Sequence, residues 1–291
     1  MNLEDISHKV IQFFYSFIRS HYAVILIAFC IFLFACNNNS GKRETGIVET
    51  DDITPSIINY KVVNAFPHDT TAYTEGFLIH NGLLFESTGH TNSYPGSRSL
   101  FGIVNLSSGK IDKKVEIDKN KYFGEGIAFL KDKVFQITDT THIGFVYDAK
   151  TFKKLSSFNY DGEGWGLTTN GSYLMMSNGS SNIYYRDPST FKIIKTLGVT
   201  DNNGPVYNIN ELELIKGYVY ANQWLTDYII KIDTSNGKVV GRLDLSPLRT
   251  EAKVKYSLSE ETNGIAYDSV ANKIYVTGKL WPTIYEIQFN Y

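Results

Sequence analysis

The feature that most constrains this chain is an internal repeat. One polar or aromatic residue, a small or apolar pair and further apolar residues recur as Glu75-Gly76-Phe77-Leu78, Glu125-Gly126-Ile127-Ala128, Trp165-Gly166-Leu167, Asn210-Glu211-Leu212 and Asn263-Gly264-Ile265-Ala266, at spacings of 50, 40, 45 and 53. A second strand-like hexamer begins nine residues after each of the first four leads and eleven after the fifth, at 84–89, 134–139, 174–179, 219–224 and 274–279. A third apolar strand closes on an Asp or Asn turn and a Lys, as in 146–153 and 230–238, which is ordinary hairpin chemistry.

Five units of 40 to 53 residues, each with room for about four strands, have the size of propeller blades. The expected fold is therefore all-β, a five-bladed β-propeller. The final segment 283–287 supplies a third strand for the last blade, and 60–63 near the start supplies its outer strand and closes the ring. Closure removes free edges. Composition agrees: 14% of residues are aromatic and only 20% charged, which favours sheet and excludes wholesale disorder. The one stretch with helical character is 247–261. With 28 basic against 30 acidic residues and no dense Lys/Arg run, nucleic-acid partners are set aside.

The expected domain plan is an export signal at 1–36, a flexible tether at 37–56 and the propeller at 57–291. Lys9, Arg19 and His21 precede an apolar run from Ala23 to Ala35, and Leu33-Phe34-Ala35-Cys36 resembles the lipobox of bacterial lipoproteins, with Cys36 as the lipidated residue. Phe34 is bulkier than the usual residue there. An uncleaved signal anchor is the alternative, although 13 apolar residues are short for a span of about 20. In either case the expectation is an exported, membrane-anchored domain, monomeric as a closed propeller. Cys30 and Cys36 are the only cysteines, so that domain is held without disulfides.

In a propeller the five leads converge at one mouth of the channel. Glu75, Glu125, Trp165, Asn210 and Asn263 are an unusual set for equivalent sheet positions, and the second strands end in Gly89, Asp139, Gly179, Trp224 and Lys279. Taken singly, each has an ordinary role: Glu beside Gly is a turn or surface residue, Trp165 and Trp224 are packing, Lys279 covers apolar surface with its stem, and the two Asn satisfy backbone groups. The common register places them together, as convergent polar groups walled by aromatics.

These residues resemble the plant and bacterial glutaminyl-peptide cyclotransferases. The likeness runs from about 60 to 289 and is carried by Phe66-Pro67-His68-Asp69, Thr74-Glu75-Gly76, Leu84-Phe85-Glu86-Ser87-Thr88-Gly89, Tyr122-Phe123-Gly124-Glu125-Gly126, Gly164-Trp165-Gly166-Leu167, Asn210-Glu211-Leu212-Glu213 and Val276-Thr277-Gly278-Lys279-Leu280-Trp281-Pro282. It implies a five-bladed propeller that converts an N-terminal glutaminyl residue of a peptide or protein to pyroglutamate with release of ammonia, without cofactor or catalytic metal. Carried over, Glu125 is the acid/base, Asn210 and Lys279 are polar catalytic residues, Trp165 and Trp224 wall the pocket, and Glu75, Tyr73 and Asn263 contact substrate. The chemistry suits a carboxylate that moves a proton from the α-amine to the departing NH₂.

The chain departs from the family pattern in three places: Glu75 stands where the family's string has Gln, Asp139 where a Trp is expected, and Tyr73 where the family has Phe. The first two add negative charge at the mouth, which raises the apparent pKa of one carboxylate and shifts the active pH range upward or favours cationic peptide termini. Two other readings remain open at this point. Glu75, Glu125, Asn210, Asn263 and Asp139 are hard oxygen ligands that could ring a Ca²⁺ in a lactonase-like hydrolase, against which Lys279 would repel the cation. A non-catalytic propeller gripping a peptide or glycan between Trp165 and Trp224 is the second. His68, His80, His90 and His142 fall in no ligand spacing and read as loop residues.

Overall fold

The computed structural model describes residues 54–291, which lie in a unit spanning Asp51–Tyr291. The export signal, Cys36 and the tether up to residue 53 lie outside the described residues.

Five antiparallel four-stranded blades follow one another. Blade I comprises Thr74–His80, Leu83–Thr88, Leu100–Val104 and Ile111–Glu116, and blade II comprises Phe123–Leu130, Lys133–Asp139, Ile143–Asp148 and Lys154–Asn159. Blade III comprises Leu167–Thr169, Leu174–Met176, Asn182–Arg186 and Ile193–Gly198, and blade IV comprises Ile209–Ile215, Tyr218–Gln223, Tyr228–Asp233 and Val239–Asp244. Blade V comprises Thr262–Asp268, Lys273–Gly278 and Thr283–Phe289, completed by Tyr60–Pro67 from the start of the domain. That closing strand runs antiparallel to the last one, with Tyr60 opposite Phe289 and Pro67 opposite Thr283, as the sequence pattern implies. A short strand, Ser56–Ile57, adds parallel to the outer edge of blade IV. The helical segment is a single helix, Ser246–Lys255, which packs Leu248 and Ala252 into the core between blades IV and V.

The apolar residues of the repeats fall into five clusters, one at each blade interface. The cluster between blades I and V contains Phe77, Leu84, Ala266 and Ile284, so the ring is sealed by packing as well as by the shared sheet. The turn after the third strand is the same device four times: Asn105, Asp148, Asp187 and Asp233 each accept hydrogen bonds on Oδ1 from the amide two residues on, at 2.8–3.1 Å. The left-handed position four residues after each is Gly109, Phe152, Phe191 or Gly237. The two Phe tolerate it because their rings are packed against the core.

Two buried acids tie blade IV across the channel. Glu211 accepts from the amides of Phe77 (3.3 Å) and Ile265 (2.9 Å), and Glu213 from the amide of Tyr267 (2.9 Å) and the hydroxyl of Thr168 (3.4 Å). Burial holds both carboxyls above their ordinary range, Glu213 at about 8.

His68 is in a loop, as its spacing suggests, but it does not face solvent. It is buried directly after the closing strand, with Nδ1 2.8 Å from Trp281 O and Nε2 3.0 Å from Glu86 Oε1, while Thr74 Oγ1 donates to the same carboxylate at 2.7 Å. Both ring nitrogens face acceptors, so the ring carries both protons. Burial acts to lower its pKa, but the charge and hydrogen bond of Glu86 raise it. His80, by contrast, is no loop residue: it ends the first strand of blade I, stacked on Phe129 at 4.0 Å.

The glycine after the leads Glu125 and Trp165 has a steric reason. A Cβ on Gly126 would sit 2.5 Å from Leu167 N of blade III, and one on Gly166 would collide with Asn210 O of blade IV. The innermost strands touch backbone to backbone there. Gly166→Ala is expected to cost about 1–3 kcal/mol, the usual range for overpacking. Gly198→Ala, whose Cβ would meet nothing closer than Asn182 Oδ1 at 3.8 Å, should stay within about 0.5 kcal/mol. Urea denaturation of the two variants checks this, and equal losses would contradict the close-approach argument.

Candidate active site

The leads are aimed by irregularities in the sheets. In blade I the pairing moves from Thr74–Thr88 to Gly76–Ser87, leaving Glu75 as the extra residue. In blade II it jumps from Gly124–Thr138 to Ile127–Gln136, in blade IV from Ile209–Gln223 to Leu212–Ala221, and in blade V from Thr262–Gly278 to Ile265–Val276. Each is a β-bulge at Glu125, Asn210 or Asn263, and a bulge turns a side chain out of the regular pleat. The backbone groups it releases are taken up by the preceding blade: Ser87 Oγ donates to Glu125 O and Ser177 Oγ to Asn210 O, both at 2.6 Å, and Gly264 N donates to Asn222 Oδ1 at 2.9 Å. Trp165 stands just before its strand, its backbone N–H donating to Ser177 O at 3.0 Å.

These side chains open onto a cavity of about 280 Å³ at one mouth of the channel. Glu75, Glu125, Asn210 and Lys279 supply its charged and amide groups. Tyr73, Phe123, Trp165 and Trp224 form aromatic walls, and Thr91 and Asp139 complete the lining. The two indoles meet edge to face, centroids 5.5 Å apart at 80°. Gly89 and Gly179, one and three residues past the second strands of blades I and III, are the seats of two walls: a Cβ on Gly89 would collide with the Phe123 ring, and one on Gly179 with Trp165.

Of the residues anticipated from the sequence, Asn263 alone does not line the cavity. It is fully buried, and its Nδ2 donates to Glu75 Oε2 and Thr74 O, each at 2.9 Å, so it stands behind Glu75 as a support. Lys279 Nζ lies 2.6 Å from the other oxygen of Glu75 and 4.6 Å from the centroid of the Tyr73 ring. Both oxygens of Glu75 are therefore engaged. Glu125 is different: Oε2 is buried without a hydrogen-bond partner, and so is Asn210 Oδ1. Phe123 and Thr91 were not singled out. Phe123 was within reach, two residues before Glu125 in the same strand-like run, whereas Thr91 lies in irregular chain after Thr88 and gives no periodic signal.

The charges are strongly interdependent. Burial and the neighbouring Glu75 push Glu125 well above the usual carboxylate range, with Asp139 and Glu163 adding to the rise and Lys279 opposing it. Burial lifts Glu75 to about 7 in spite of Lys279. Burial alone would lower Lys279, but Glu75, Tyr73 and Glu125 outweigh it and hold the ammonium protonated. The arrangement places a carboxyl that holds its proton more tightly than an ordinary glutamate, Glu125, in one cavity with a permanent cation, in a pocket large enough for one amino-acid side chain. Among the described residues no three His, Cys, Asp or Glu are grouped to hold a metal ion.

Fold and site together define a five-bladed propeller whose pocket holds a buried carboxyl with one oxygen unpartnered and, from another blade, a buried ammonium. Residues 29–289 match the family model described as glutamine cyclotransferase. A glutaminyl-peptide cyclotransferase of Arabidopsis thaliana is 38% identical over 266 residues, covering 90% of this chain and 81% of that protein. The crystal structure of Myxococcus xanthus glutaminyl cyclase matches with a TM-score of 0.73 and 30% identity, over 81% of this chain and 98% of that one. The chain belongs to the glutamine cyclotransferase family.

The raised Glu125 carboxyl gives a pH prediction for the family's reaction. Activity that needs the ionised carboxylate should rise through an acid limb lying above the ordinary 4.5 of a glutamate. Glu75→Gln removes a like charge and leaves Lys279 for Glu125; both effects favour the ionised form, so the limb should move to lower pH. A kcat/KM profile with the limb unmoved would show that the two carboxyls are not coupled.

Proposed function

We propose that this chain closes the N-terminal glutamine of peptides or proteins to pyroglutamate, with Glu125 as the proton shuttle. It is a glutaminyl-peptide cyclotransferase. The observation that carries the assignment of roles is the buried, unpartnered Glu125 oxygen in a cavity that also holds Asn210 and Lys279. The α-amine nitrogen attacks the side-chain amide carbon; the new N–C bond forms, the C–NH₂ bond breaks, and ammonia leaves. Glu125 accepts the proton that the amine loses and returns it to the departing NH₂. Lys279, fixed by Glu75, presents the positive charge that stabilises the amide oxygen as it becomes negative. Asn210 offers an acceptor for a substrate N–H, which orients the reacting groups. Because ring closure is intramolecular, much of the rate comes from holding the chain end folded, and Trp165, Trp224 and Phe123 are the surfaces that hold it.

The reaction so written needs no metal, and two features support that reading. Both oxygens of Glu75 are already taken, and an ammonium lies against one of them, so the ring of oxygen ligands that a lactonase-like site would require is interrupted. The enzyme acts, on this proposal, as an exported monomer anchored through lipid on Cys36, a reading supported by the apolar run and Leu33-Phe34-Ala35-Cys36.

The test is to incubate the full chain with a short glutamine-initiated peptide, with and without EDTA, and to follow ammonia and the matching loss of peptide mass. Turnover should be indifferent to the chelator. Glu125→Gln should lower kcat by about 10²–10⁴, the range for removal of a general acid/base, and Lys279→Met by about 10²–10³, as for loss of an oxyanion donor. A chelator-sensitive reaction, or an active Glu125→Gln enzyme, would overturn the mechanism.

A further inference from the structure

Asp139 has no part in the proton transfer derived above, yet it lines the cavity, and its Oδ1 is buried without a hydrogen-bond partner. It ends the second strand of blade II, directly opposite Phe123 on the strand that carries Glu125. Elsewhere in the chain, an Asp at a strand end serves its own turn, as Asp148 and Asp187 do by capping turn amides with Oδ1. Asp139 does not, because only its backbone oxygen serves the turn, accepting from Thr141 N at 2.5 Å. Nor does it meet a Lys, Arg or His among the described residues. Asp139 is thus a half-buried carboxyl at the pocket wall with one oxygen shielded from water and unpaired, an open acceptor for a donor arriving from solution.

The rest of that wall has the same sign. Glu163 is exposed at the rim, where its Oε2 accepts from Trp165 Nε1 at 3.2 Å. Glu125, Asp139 and Glu163 thus give the blade II–III side three carboxyl groups, and neither blade puts a Lys or Arg into the cavity lining; Arg186 and His142 bind the backbone of Asp161 and Gly162 behind it. The cavity's one cation, Lys279, comes from blade V and is held by Glu75. A substrate's α-amine brings one positive charge to Glu125, which leaves Asp139 and Glu163 unanswered beside the path by which the rest of the peptide leaves the pocket.

We infer that Asp139, aided by Glu163 at the rim, is a specificity-determining residue that binds the ammonium or guanidinium of the substrate's second residue, so that peptides beginning Gln-Lys or Gln-Arg are preferred. The inference rests on the cyclotransferase reading. Arg is the better fit to a free carboxylate because its fork can bond both oxygens. The preference is electrostatic and only partly shielded from solvent, so it weakens as salt rises.

The test compares kcat/KM for Gln-Lys, Gln-Ala and Gln-Glu peptides of equal length with the full chain, at low and high salt. The wild type should favour Gln-Lys over Gln-Ala by about tenfold, mostly through KM, as for one partly desolvated charge pair, with Gln-Glu poorest. Asp139→Asn should bring the Lys/Ala ratio to within about twofold, and Asp139→Lys should turn the preference toward Gln-Glu. Because the readout is a ratio between substrates of one enzyme, a general loss of activity in a variant does not move it. A wild-type ratio near one, or a ratio unchanged by Asp139→Asn, would overturn the inference while leaving the cyclotransferase intact. If no glutamine-initiated peptide turns over, the cyclotransferase reading fails. Calorimetric binding of the same peptides then decides the preference: tighter Gln-Lys binding lost in Asp139→Asn supports it, and equal binding overturns it.

Discussion

The structure depends on one close approach. Where the innermost strands of neighbouring blades meet, Gly76 faces Gly126, Gly126 faces Gly166, and Gly166 faces the backbone of Asn210 and Glu211, with no room for a β-carbon at Gly126 or Gly166. This contact determines how tightly the ring closes, and so how near the preceding residues come to one another. Four of the five leads are the residues displaced by the bulges at that level, and the fifth, Trp165, stands just before its strand. Ring closure and site assembly are therefore a single geometric event: widening the ring at the glycines would separate Glu75, Glu125, Asn210 and Trp165. Where blade IV has Glu211 instead of glycine, its carboxylate crosses the channel to the amides of Phe77 and Ile265, so the departure from the small-residue pattern becomes a tie between blades.

A second constraint lies in how the buried charge is divided. Three carboxyl groups, Glu75, Glu125 and Asp139, and one amine, Lys279, share one cavity, and an unpaired charge in such a place is expensive. Asn263 and Lys279 hold Glu75 from two sides. Glu125 is left without a cation of its own, and burial together with the neighbouring Glu75 then raises its pKa well above the ordinary glutamate range. The same division sets apart the two carboxylates at equivalent positions of adjacent blades: Glu75 holds Lys279, whereas Glu125 keeps an unpartnered oxygen, which is what the proposed proton transfer requires.

Much of this was legible in the amino-acid order. The spacing of the leads implied five blades, and Tyr60–Pro67 pairs with the last strand as the apolar pattern required. The pocket residues Glu75, Glu125, Trp165, Asn210, Trp224 and Lys279 stood at repeat positions, which is why they could be named together. His68 and Glu86 could not be joined in this way. They are 18 residues apart and meet only because the closing strand delivers His68 to the blade V–blade I seam. Glu163 was equally silent, since an acid between two glycines looks like an ordinary surface turn until Trp165 Nε1 is seen to reach it.

By itself, then, the sequence determined the period, the number of blades, the strand that closes the ring and the polar residues that lead each repeat, because strand pairing and apolar burial are governed by patterns a few residues long. Tertiary structure decided what those residues do. Asn263 sits behind Glu75 and not beside the cavity, Lys279 pairs with Glu75 and not with Glu125, and Asp139 Oδ1 is left without a partner. The physical reason is that these groups come from different blades and meet only on closure. Which two become partners depends on differences of an ångström or so between side chains in a buried, weakly screened place, where the energy of a charge changes steeply with distance.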